Sequence, residues 1–266
     1  MRKDKILSKK ILAKKEPEKR LLLTLKRRAG RGNSGRITVR HKGGGVKKKY
    51  RIVDFDQKKF DIPAKVIALE YDPYRTAFII LLEYNDGEKR YRLAHDSIKI
   101  GDLVICSEKA EIKTGNRMRI ANIPVGTVVH DVELIPEKGG KIVRSAGSSA
   151  KILAHEDKFT NLEMPSGEIR RIFSRCYATI GIVSYPEWRY VNIRKAGSNR
   201  LRGKRPRVRG SAMNPVDHPH GGGEGRTSIG LKHPKTPWGK PALGVKTRKR
   251  KKWTNKYIIS RRKKKK

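Results

Sequence analysis

Along the middle of the chain, apolar and polar residues alternate with a period of two, which predicts β-strands rather than helices. Tyr50–Phe55 alternates in this way, and Ala64–Tyr71 and Thr76–Tyr84 are rich in β-branched and aromatic residues. The turn residues Asn85-Asp86-Gly87 separate the last of these segments from Arg90–Leu93. Two strands joined by such a turn predict a β-hairpin.

Further short strands are predicted after this hairpin, with Pro165-Ser166-Gly167 as another tight turn. They are Ile98–Cys106, Gly126–Leu134, Lys141–Val143, Ala150–His155, Phe159–Met164, Glu168–Phe173 and Thr179–Val183. About ten short strands in roughly 135 residues indicate small barrels, and their spacing favours two barrels that meet near Pro124–Gly126. Pro186–Lys195 is the only helix predicted, and it ends before Gly197.

The charge of the chain is divided unevenly. Its 66 Lys and Arg against 25 Asp and Glu give a net charge of +41. Residues 1–60 contribute +17, residues 61–196 only +3, and residues 197–266 contribute +21. The nearly neutral middle is typical of a folded domain, whereas the cationic ends would repel themselves unless a polyanion neutralised them.

Residues 197–266 contain ten Gly, six Pro and no Phe, so we expect that this tail cannot fold alone. Nucleic acid is the favoured polyanionic partner. A membrane surface is the rival, but basic membrane-bound segments usually form an amphipathic helix, which this Pro and Gly content forbids. Met1–Lys15 has no uninterrupted apolar segment of the length found in a signal peptide, and the longest apolar run in the chain is Ala77–Leu82. We therefore expect no signal peptide, transit peptide or membrane span. Cys106 and Cys176 are expected to be buried, reduced thiols.

Two nucleotide-binding motifs are considered and rejected. Gly30–Gly35 follows an apolar run, Leu21–Leu25, and spells G-x-G-x-x-G. A dinucleotide site needs a helix after the glycines, and Ile37–Val39 instead predicts a strand. Gly239–Thr247 approaches a P-loop, but Pro241 interrupts it and Lys246-Thr247 follows Val245 rather than Gly.

A cluster of titratable residues in the tail is compatible with a metal site or an acid–base site. Its members are Asp217, His218, His220, Glu224 and His233. Two histidines two residues apart in a Pro- and Gly-rich loop are poorly placed to share a tetrahedral ion, and no rigid element nearby supplies a third ligand. Catalysis also needs a pocket around a histidine of tuned pKa. We expect neither a metal site nor intrinsic enzymatic activity.

The run Met213–Arg226 is better interpreted as a backbone clamp on RNA. Its three consecutive glycines leave main-chain N–H groups free to bind phosphate, and its His, Asn and Arg side chains offer donors to ribose or base edges. His41–Gly45, followed by Lys47–Arg51, repeats the combination of three glycines, cations and an aromatic ring. The alternative is a flexible linker with solvated charge, although linkers more often use Ser and acids.

These and other motifs resemble one family, large ribosomal subunit protein two, the universal ribosomal protein L2 family. The motifs that carry the resemblance are Arg40–Gly45, Tyr50–Phe55, Leu69–Pro73, Asp86–Tyr91, Ile123–Thr127, Arg144–Gly147, Arg205–Gly210 and above all Met213–Arg226. The resemblance covers the chain from about Gly30 to Arg262. Val46 departs from the His of many members, and the start lacks the Pro-Gly opening that many bacterial members share.

The resemblance implies a mainly β fold, with an RNA-binding OB-like barrel followed by an SH3-like barrel and long basic extensions in large-subunit rRNA near the peptidyl transferase region. It assigns His218 a structural role, because the RNA is the catalyst. It also implies other ribosomal proteins and the small subunit, at an intersubunit bridge, as partners. Pro241–Gly244 and Lys246–Lys252 look most like cyanobacterial and plastid members, which favours a plastid ribosome over one in the bacterial cytoplasm.

The sequence therefore predicts a non-enzymatic structural constituent of the large ribosomal subunit that supports subunit assembly, subunit association and the peptidyl transferase region. The predicted domains are a basic extension (1–35), an OB-like barrel (36–123), an SH3-like barrel (124–196) and an rRNA-binding extension (197–266). No cofactor is expected, although magnesium ions bound to rRNA would lie nearby. A non-specific architectural nucleic-acid protein and an enzyme acting on RNA are the competing classes.

The residues predicted to bind RNA are mostly cationic, with glycines and aromatic rings among them. They are Arg36, Arg40, His41, Lys42, Gly43, Gly44, Gly45, Lys47, Lys48, Lys49, Tyr50, Arg51, Lys195, Gly197, Arg200, Arg202, Lys204, Arg205, Arg207, Arg209, Asn214, His218, His220, Gly221, Gly222, Gly223, Arg226, His233, Trp238, Lys246, Arg248, Lys249 and Arg250.

Overall fold

The computed structural model of the chain describes residues 12–13 and 16–262. The prediction that Met1–Lys15 carries no leader falls mainly outside those residues, as do the last four lysines of the basic tail. In the part of the chain that the structure describes, no helix is both long and apolar enough to cross a bilayer.

The described residues form mainly β structure. The strands are β1 (Leu22–Thr24), β2 (Lys49–Arg51), β3 (Ala64–Tyr71), β4 (Phe78–Tyr84), β5 (Lys89–Leu93), β6 (Leu103–Val104), β7 (Arg117–Arg119), β8 (Val128–His130), β9 (Val132–Glu133), β10 (Gly140–Ile142), β11 (Ala150–His155), β12 (Phe159–Glu163), β13 (Ile169–Phe173), β14 (Tyr177–Ile180) and β15 (Ile258–Ser260). The helical segments are one α-helix, α1 (Ala196–Leu201), and 3-10 turns at Lys19–Leu21, Ile120–Asn122, Pro186–Tyr190, Gly210–Ala212 and Trp253–Tyr257.

The first barrel is built on the sheet β5-β4-β3-β6. The predicted hairpin is confirmed: β4 pairs with β5 antiparallel, and Gly87 at φ +78 lies in the connecting turn, a conformation that glycine adopts without penalty. Nearly all of β4 is buried because Ile80 and Leu82 pack into one apolar cluster while Ile79 and Leu81 pack into another. A sheet covered on both faces hides the period of two, which explains the continuous apolar run here.

The second barrel is built on the sheet β15-β13-β12-β11-β8-β14-β7. Its core includes Val129, Ile152 and Leu162, which have no exposed surface. The predicted turn at Pro165–Gly167 joins β12 and β13, with Gly167 at φ +77. The predicted fold class, two curled sheets in the order OB-like then SH3-like, is confirmed. Cys106 and Cys176 are buried free thiols, as predicted, and burial raises the pKa of Cys176 to about 12.

The chain forms two compact units. Unit 1 contains Lys48–Asn192, which includes both barrels, together with the described residues before Lys26 and after Trp253. Unit 2 contains Lys26–Lys47 and Ile193–Trp253. Residues of the predicted 197–266 extension therefore divide between the two units. The predicted domain boundaries themselves stay predictions.

Three local predictions are wrong. Of the strand predicted over Ile98–Cys106, only Leu103–Val104 is a strand, and a turn precedes it. The helix over Pro186–Lys195 is a 3-10 turn that stops at Tyr190, and the α-helix begins only at Ala196 and runs through Gly197. The glycine that follows this helix is Gly203, at φ +84, which suits the left-handed residue at a helix C-terminus. Ile37–Val39 is not a strand: the N–H groups of Thr38 and Val39 both donate to Gly30 O, which curls the segment into a tight loop.

Unit 1 contains a buried ionic cluster that the sequence analysis did not predict. Arg117 on β7 is fully buried and donates through Nη1 to the carbonyl (2.9 Å) and carboxylate (3.3 Å) of Asp131. Its Nη2 donates to Glu133 Oε1 at 2.9 Å. Gln57, from the segment before the first barrel's sheet, donates to the same Asp131 carboxylate at 3.2 Å. The cluster therefore ties residues of the OB-like half to the SH3-like strands.

Two buried imidazoles near this cluster should make unit 1 sensitive to acid. Burial, together with the charge of Arg92, lowers the pKa of His95 to about 4, and burial lowers the pKa of His130 to about 3. Because the unfolded chain binds these protons at a higher pH, stability is present above about pH 6.5 and is lost as the pH falls toward the folded pKa values. The loss is up to about 1.4 kcal/mol per pH unit for each imidazole.

The measurement is the free energy of urea unfolding at several pH values between neutral and about 4.5. His130→Asn keeps a donor for Gly181 O, which His130 Nδ1 meets at 3.0 Å, but cannot titrate. We expect the free energy of unfolding of this variant to fall less steeply than that of the parent as the pH decreases. An unchanged slope would contradict the assignment of the acid sensitivity to this imidazole.

Candidate nucleic-acid interface

The first glycine-rich loop, His41–Gly45, is held along its length by main-chain hydrogen bonds to a second segment of unit 2. Gly43 N–H donates to Gly203 O at 2.8 Å, and Arg205 N–H donates to His41 O at 3.1 Å. Lys42 forms an isolated antiparallel bridge with Lys204. Two stretches of cationic residues more than 150 positions apart are thus held side by side by main-chain hydrogen bonds, which leaves their side chains available to a polyanion.

Glycine occupies three consecutive positions of this loop for different physical reasons. Gly45, at φ +63, lies so close to other backbone that an added Cβ would meet Leu201 O at 2.6 Å and Gly203 N at 2.8 Å. Its small size is therefore required by the protein itself. A Cβ at Gly44 would meet nothing within 4 Å, although Arg27 donates to Gly44 O. Gly44 is the position of the three where the missing side chain leaves open surface.

The second glycine-rich loop, Met213–Arg226, is internally hydrogen bonded. His218 is buried, and its Nδ1 accepts from His220 N–H at 3.1 Å. His220 Nε2 in turn accepts from Lys235 N–H at 2.9 Å. Since a ring nitrogen that accepts carries no proton, His218 is protonated on Nε2 and His220 on Nδ1 when both are neutral. Both imidazoles therefore act as structural acceptors, and each keeps one N–H donor.

Glycines shape this loop as well. Gly222 is at φ +88, and a Cβ there would meet Pro215 Cγ at 2.5 Å. Side chains at Gly221 and Gly223 would collide with Asn214 O and with the side chain of Thr227. Gly210, which ends the Arg205–Gly210 motif but was not predicted to bind RNA, lies directly against the His218 ring. The glycines are thus needed for the loop to pack on itself, a reason that differs from the close approach to phosphate expected from the sequence.

Trp238 is presented at the tip of a small hairpin. Lys235 bridges Pro241, Ala242 N–H donates to Pro234 O at 2.7 Å, and Gly239 follows at φ +75. The indole is 74% exposed, and the guanidinium of Arg40 lies 5.0 Å from its ring centre. An exposed indole beside a cation is suited to stacking on an unpaired base.

The structure brings most of the predicted RNA-binding residues together in unit 2, while Lys48, Lys49, Tyr50 and Arg51 belong to unit 1. Nearly all the cationic side chains are exposed. The exposed predicted residues with charged or polar side chains are Arg36, Arg40, Lys42, Lys47, Lys49, Lys195, Arg200, Arg202, Lys204, Arg205, Arg207, Arg209, Asn214, Arg226, His233, Lys246, Arg248, Lys249 and Arg250. Unit 2 is therefore a cationic surface on a compact scaffold rather than a string of separate contacts.

A second surface, on unit 1, combines Lys48 and Tyr50, which were predicted to bind RNA, with four residues that were not predicted. Phe55 has the guanidinium of Arg75 at 4.9 Å and that of Arg144 at 4.3 Å from its ring centre. Arg75 also donates to Tyr50 Oη at 3.2 Å, and Tyr50 packs edge-on against Tyr74 with ring centres 5.5 Å apart. Lys48 lies 6.0 Å from the Tyr74 ring centre. We call these six residues the cation–aromatic cluster.

The cluster left only a weak signal in the sequence. Tyr74 and Arg75 directly follow Asp72-Pro73 at the end of β3, where a basic and an aromatic residue in a strand-end loop hint at a binding surface. Arg144 is remote in sequence, so its place beside Phe55 depends on the tertiary structure. Asp72, whose side chain is fully buried, holds Arg75 through an ion pair of 3.0 Å.

Within residues 12–13 and 16–262, no three His, Cys, Asp or Glu side chains come together in a way that could hold a metal ion. Gly30–Gly35 forms turns around a single bridge between Arg31 and Ile37, with no helix after the glycines.

Comparison with known protein families gives two matches that follow one another along the chain. Residues 18–106 match the family model described as Ribosomal Proteins L2, RNA binding N-terminal domain. Residues 113–239 match the one described as Ribosomal Proteins L2, C-terminal domain. The matches include both glycine-rich loops, Trp238 and the strands of both barrels except β15.

Proposed function

The chain belongs to the ribosomal protein L2 family of the large ribosomal subunit, and on that premise we propose how its two cationic surfaces serve RNA binding. A member of this family is a structural, rRNA-binding protein of the ribosome. We propose that unit 2 binds the phosphate backbone of large-subunit rRNA through its exposed Lys and Arg. The cation–aromatic cluster of unit 1 supplies a second contact, where rings and guanidinium planes meet unpaired bases.

The observation that best supports this proposal is the main-chain hydrogen bonding between His41–Gly45 and the segment around Gly203. It explains why two basic segments far apart in sequence both need glycine, and it fixes their cations on a shared surface. A polyanion that spans both segments gains several phosphate contacts at once.

The finer roles follow the resemblance of the motifs. We propose that the protein supports assembly of the large subunit, association with the small subunit at an intersubunit bridge, and the structure of the peptidyl transferase region. His218 has a structural role in this proposal, since its Nδ1 is already engaged by the backbone of its own loop. We propose no enzymatic activity and no cofactor other than magnesium ions bound to the rRNA. The sequence of residues 241–252 favours a plastid ribosome.

Sedimentation of tagged protein through a gradient that separates ribosomal subunits tests the proposal directly. We expect the tag to migrate with the large subunit and with intact ribosomes. Migration with bulk RNA of all sizes would favour a non-specific architectural protein instead, as would equal affinity for unrelated RNAs.

Binding of the free protein to rRNA should be steeply salt-dependent, because each phosphate contact releases counterions with a slope of about 0.7 to 0.9 in log–log form. Replacing four exposed basic residues, Lys246, Arg248, Lys249 and Arg250, with Gln should flatten the slope by up to about three units. The measurement is filter binding at several salt concentrations. A matched control replaces four exposed barrel lysines, Lys58, Lys65, Lys109 and Lys151, and should change the slope much less. Equal effects would contradict a specific role for the tail.

The cation–aromatic cluster provides a second prediction. Arg75→Gln or Arg144→Gln should each lower rRNA affinity by about tenfold, since hydrogen bonds to charged groups contribute about 1.5 to 3 kcal/mol and cation–π contacts somewhat less. Lys151→Gln, which removes the same charge from an exposed position, is the control. The affinity is measured at one fixed salt concentration with unfolding curves alongside. A loss no larger than that of Lys151→Gln would contradict the assignment.

A further inference from the structure

Unit 2 is built from two excursions that leave unit 1 and return to it. The first, Lys26–Lys47, is closed at its base by the antiparallel pairing of β1 with β2, in which Leu22 faces Arg51 and Thr24 faces Lys49. The second, Ile193–Trp253, leaves after Asn192 and returns at Thr254. Both stretches of rRNA-binding residues are therefore loops with two fixed ends.

The departing end of the second excursion is held by aromatic packing. Tyr185 stacks on Phe78 of the first barrel, with ring centres 4.7 Å apart and planes 20° from parallel. Trp188, in the following 3-10 turn, lies 6.0 Å from Tyr185 between ring centres. This end is thus anchored before the chain enters unit 2.

The returning end is held by a strand. β15 adds to the edge of the second barrel, where Ser260 faces Ile169 and Ile258 faces Arg170 on β13. Tyr257 packs against Phe173 and Phe159, at 5.8 Å and 6.3 Å between ring centres. The added strand also covers what would otherwise be an open sheet edge.

The sequence of this returning segment is unusual for its surroundings. Residues 254–260 read Thr-Asn-Lys-Tyr-Ile-Ile-Ser, with Lys256 as their one charge, between basic runs at 246–252 and 261–266. A segment that served only phosphate binding would have no need for an aromatic and two isoleucines here. Apolar and β-branched residues are what a strand on a barrel edge needs.

Closing a loop changes the cost of ordering it. A tail with a free end samples more conformations than a loop whose two ends are fixed, so RNA must order more when the end is free. The mutual repulsion of the basic residues would spread a free tail further. Fixing the end in the free protein moves this cost from binding to folding, which raises affinity without any new contact to RNA.

We propose that residues 254–260 form a C-terminal clasp that preorganises the 193–253 excursion for RNA, with Tyr257 and Ile258 as positioning residues. The proposal rests on the rRNA-binding function proposed above. It concerns how that affinity is reached, because neither residue needs to touch RNA for the clasp to act.

The test uses full-length protein with Tyr257→Ala and with Ile258→Asn, neither of which alters the charge. We expect each variant to bind an rRNA fragment about three- to tenfold more weakly, with an unchanged salt slope because no phosphate contact is lost. Amide exchange in 254–260 should become faster at the same time. Ile259→Ala, at an exposed position of the same strand, is the matched control and should bind like the parent. Arg261→Gln with Arg262→Gln should instead flatten the salt slope.

A covalent version separates loss of the clasp from general destabilisation. Ile169→Cys and Ser260→Cys replace register partners across β13 and β15, so a disulfide between them would lock the clasp. In the Tyr257→Ala background, oxidation should restore the parent affinity and reduction should remove it again. Buried Cys106 and Cys176 stay in place in every variant.

The outcomes are distinguishable. Failure of the parent protein to prefer its rRNA fragment over unrelated RNA would count against the proposed function itself. Variants whose 254–260 amides exchange rapidly but whose affinity equals that of the parent would overturn the clasp. So would rapid exchange of these amides in the parent, or a disulfide that closes without restoring affinity.

Discussion

Replacing Arg117 with Met should lower the free energy of unfolding of unit 1 by about 3 to 5 kcal/mol, because removing one partner leaves buried charges without compensation. Asp131 and Glu133 would both lose their guanidinium donor in a region that water does not reach. The measurement is equilibrium urea unfolding of the full-length protein without RNA.

Two further variants show whether the uncompensated charge is the cause. Arg119→Met, two residues along the same strand, breaks a partly exposed ion pair with Glu108 and should cost less than about 1 kcal/mol. Adding Asp131→Asn and Glu133→Gln to Arg117→Met should recover part of the loss, since it removes the unpaired charges. If the triple variant were no more stable than Arg117→Met alone, the loss would come from packing instead.

Replacing Gly222 with Val should disrupt the His218 loop more than replacing His218 with Gln, which keeps an acceptor for the N–H of His220. A residue with a Cβ at φ +88 costs about 1 to 2 kcal/mol in backbone strain, and the collision with Pro215 adds about 1 to 3 kcal/mol. We expect a large loss of rRNA affinity and a defect in subunit assembly. The measurements are filter binding and the fraction of tagged protein in assembled large subunits.

Matched variants separate the two causes and test the role of His218. Gly225→Val has a positive φ as well, but a Cβ there meets nothing within 4 Å, so it carries the strain without the collision. His218→Gln should be milder than His218→Ala, because an unpaired buried group costs about 1 to 3 kcal/mol. Subunits that assemble with His218→Gln should show normal peptide-bond chemistry. A peptide-bond rate whose pH profile had lost one ionisation would refute the structural role of His218.

The sequence by itself determined the class of the fold and the kind of partner. The period of two, the turns at Asn85–Gly87 and Pro165–Gly167, and the charge divided into +17, +3 and +21 are local properties of the chain. Because hairpins join neighbours in sequence and turns need particular residues, such features can be recognised without knowing which distant segments meet. The two glycine-rich motifs could likewise be recognised from the sequence as candidate binding loops.

Only the tertiary structure decided what the individual residues of those motifs do. Gly45 is held against Gly203 and Leu201, and His218 against Gly210, by contacts whose partners no local pattern identifies. Three-residue segments such as β1 and β15 become strands because distant segments, β2 and β13, offer them hydrogen-bond partners, so their own sequence did not reveal them. The placement of both Arg75 and Arg144 against the Phe55 ring likewise depends on the folded barrels. Closing the loop between segments far apart in sequence costs conformational entropy, so such contacts form only when the whole unit folds. The clasp and the assembly of the cation–aromatic cluster could therefore not be predicted from the sequence.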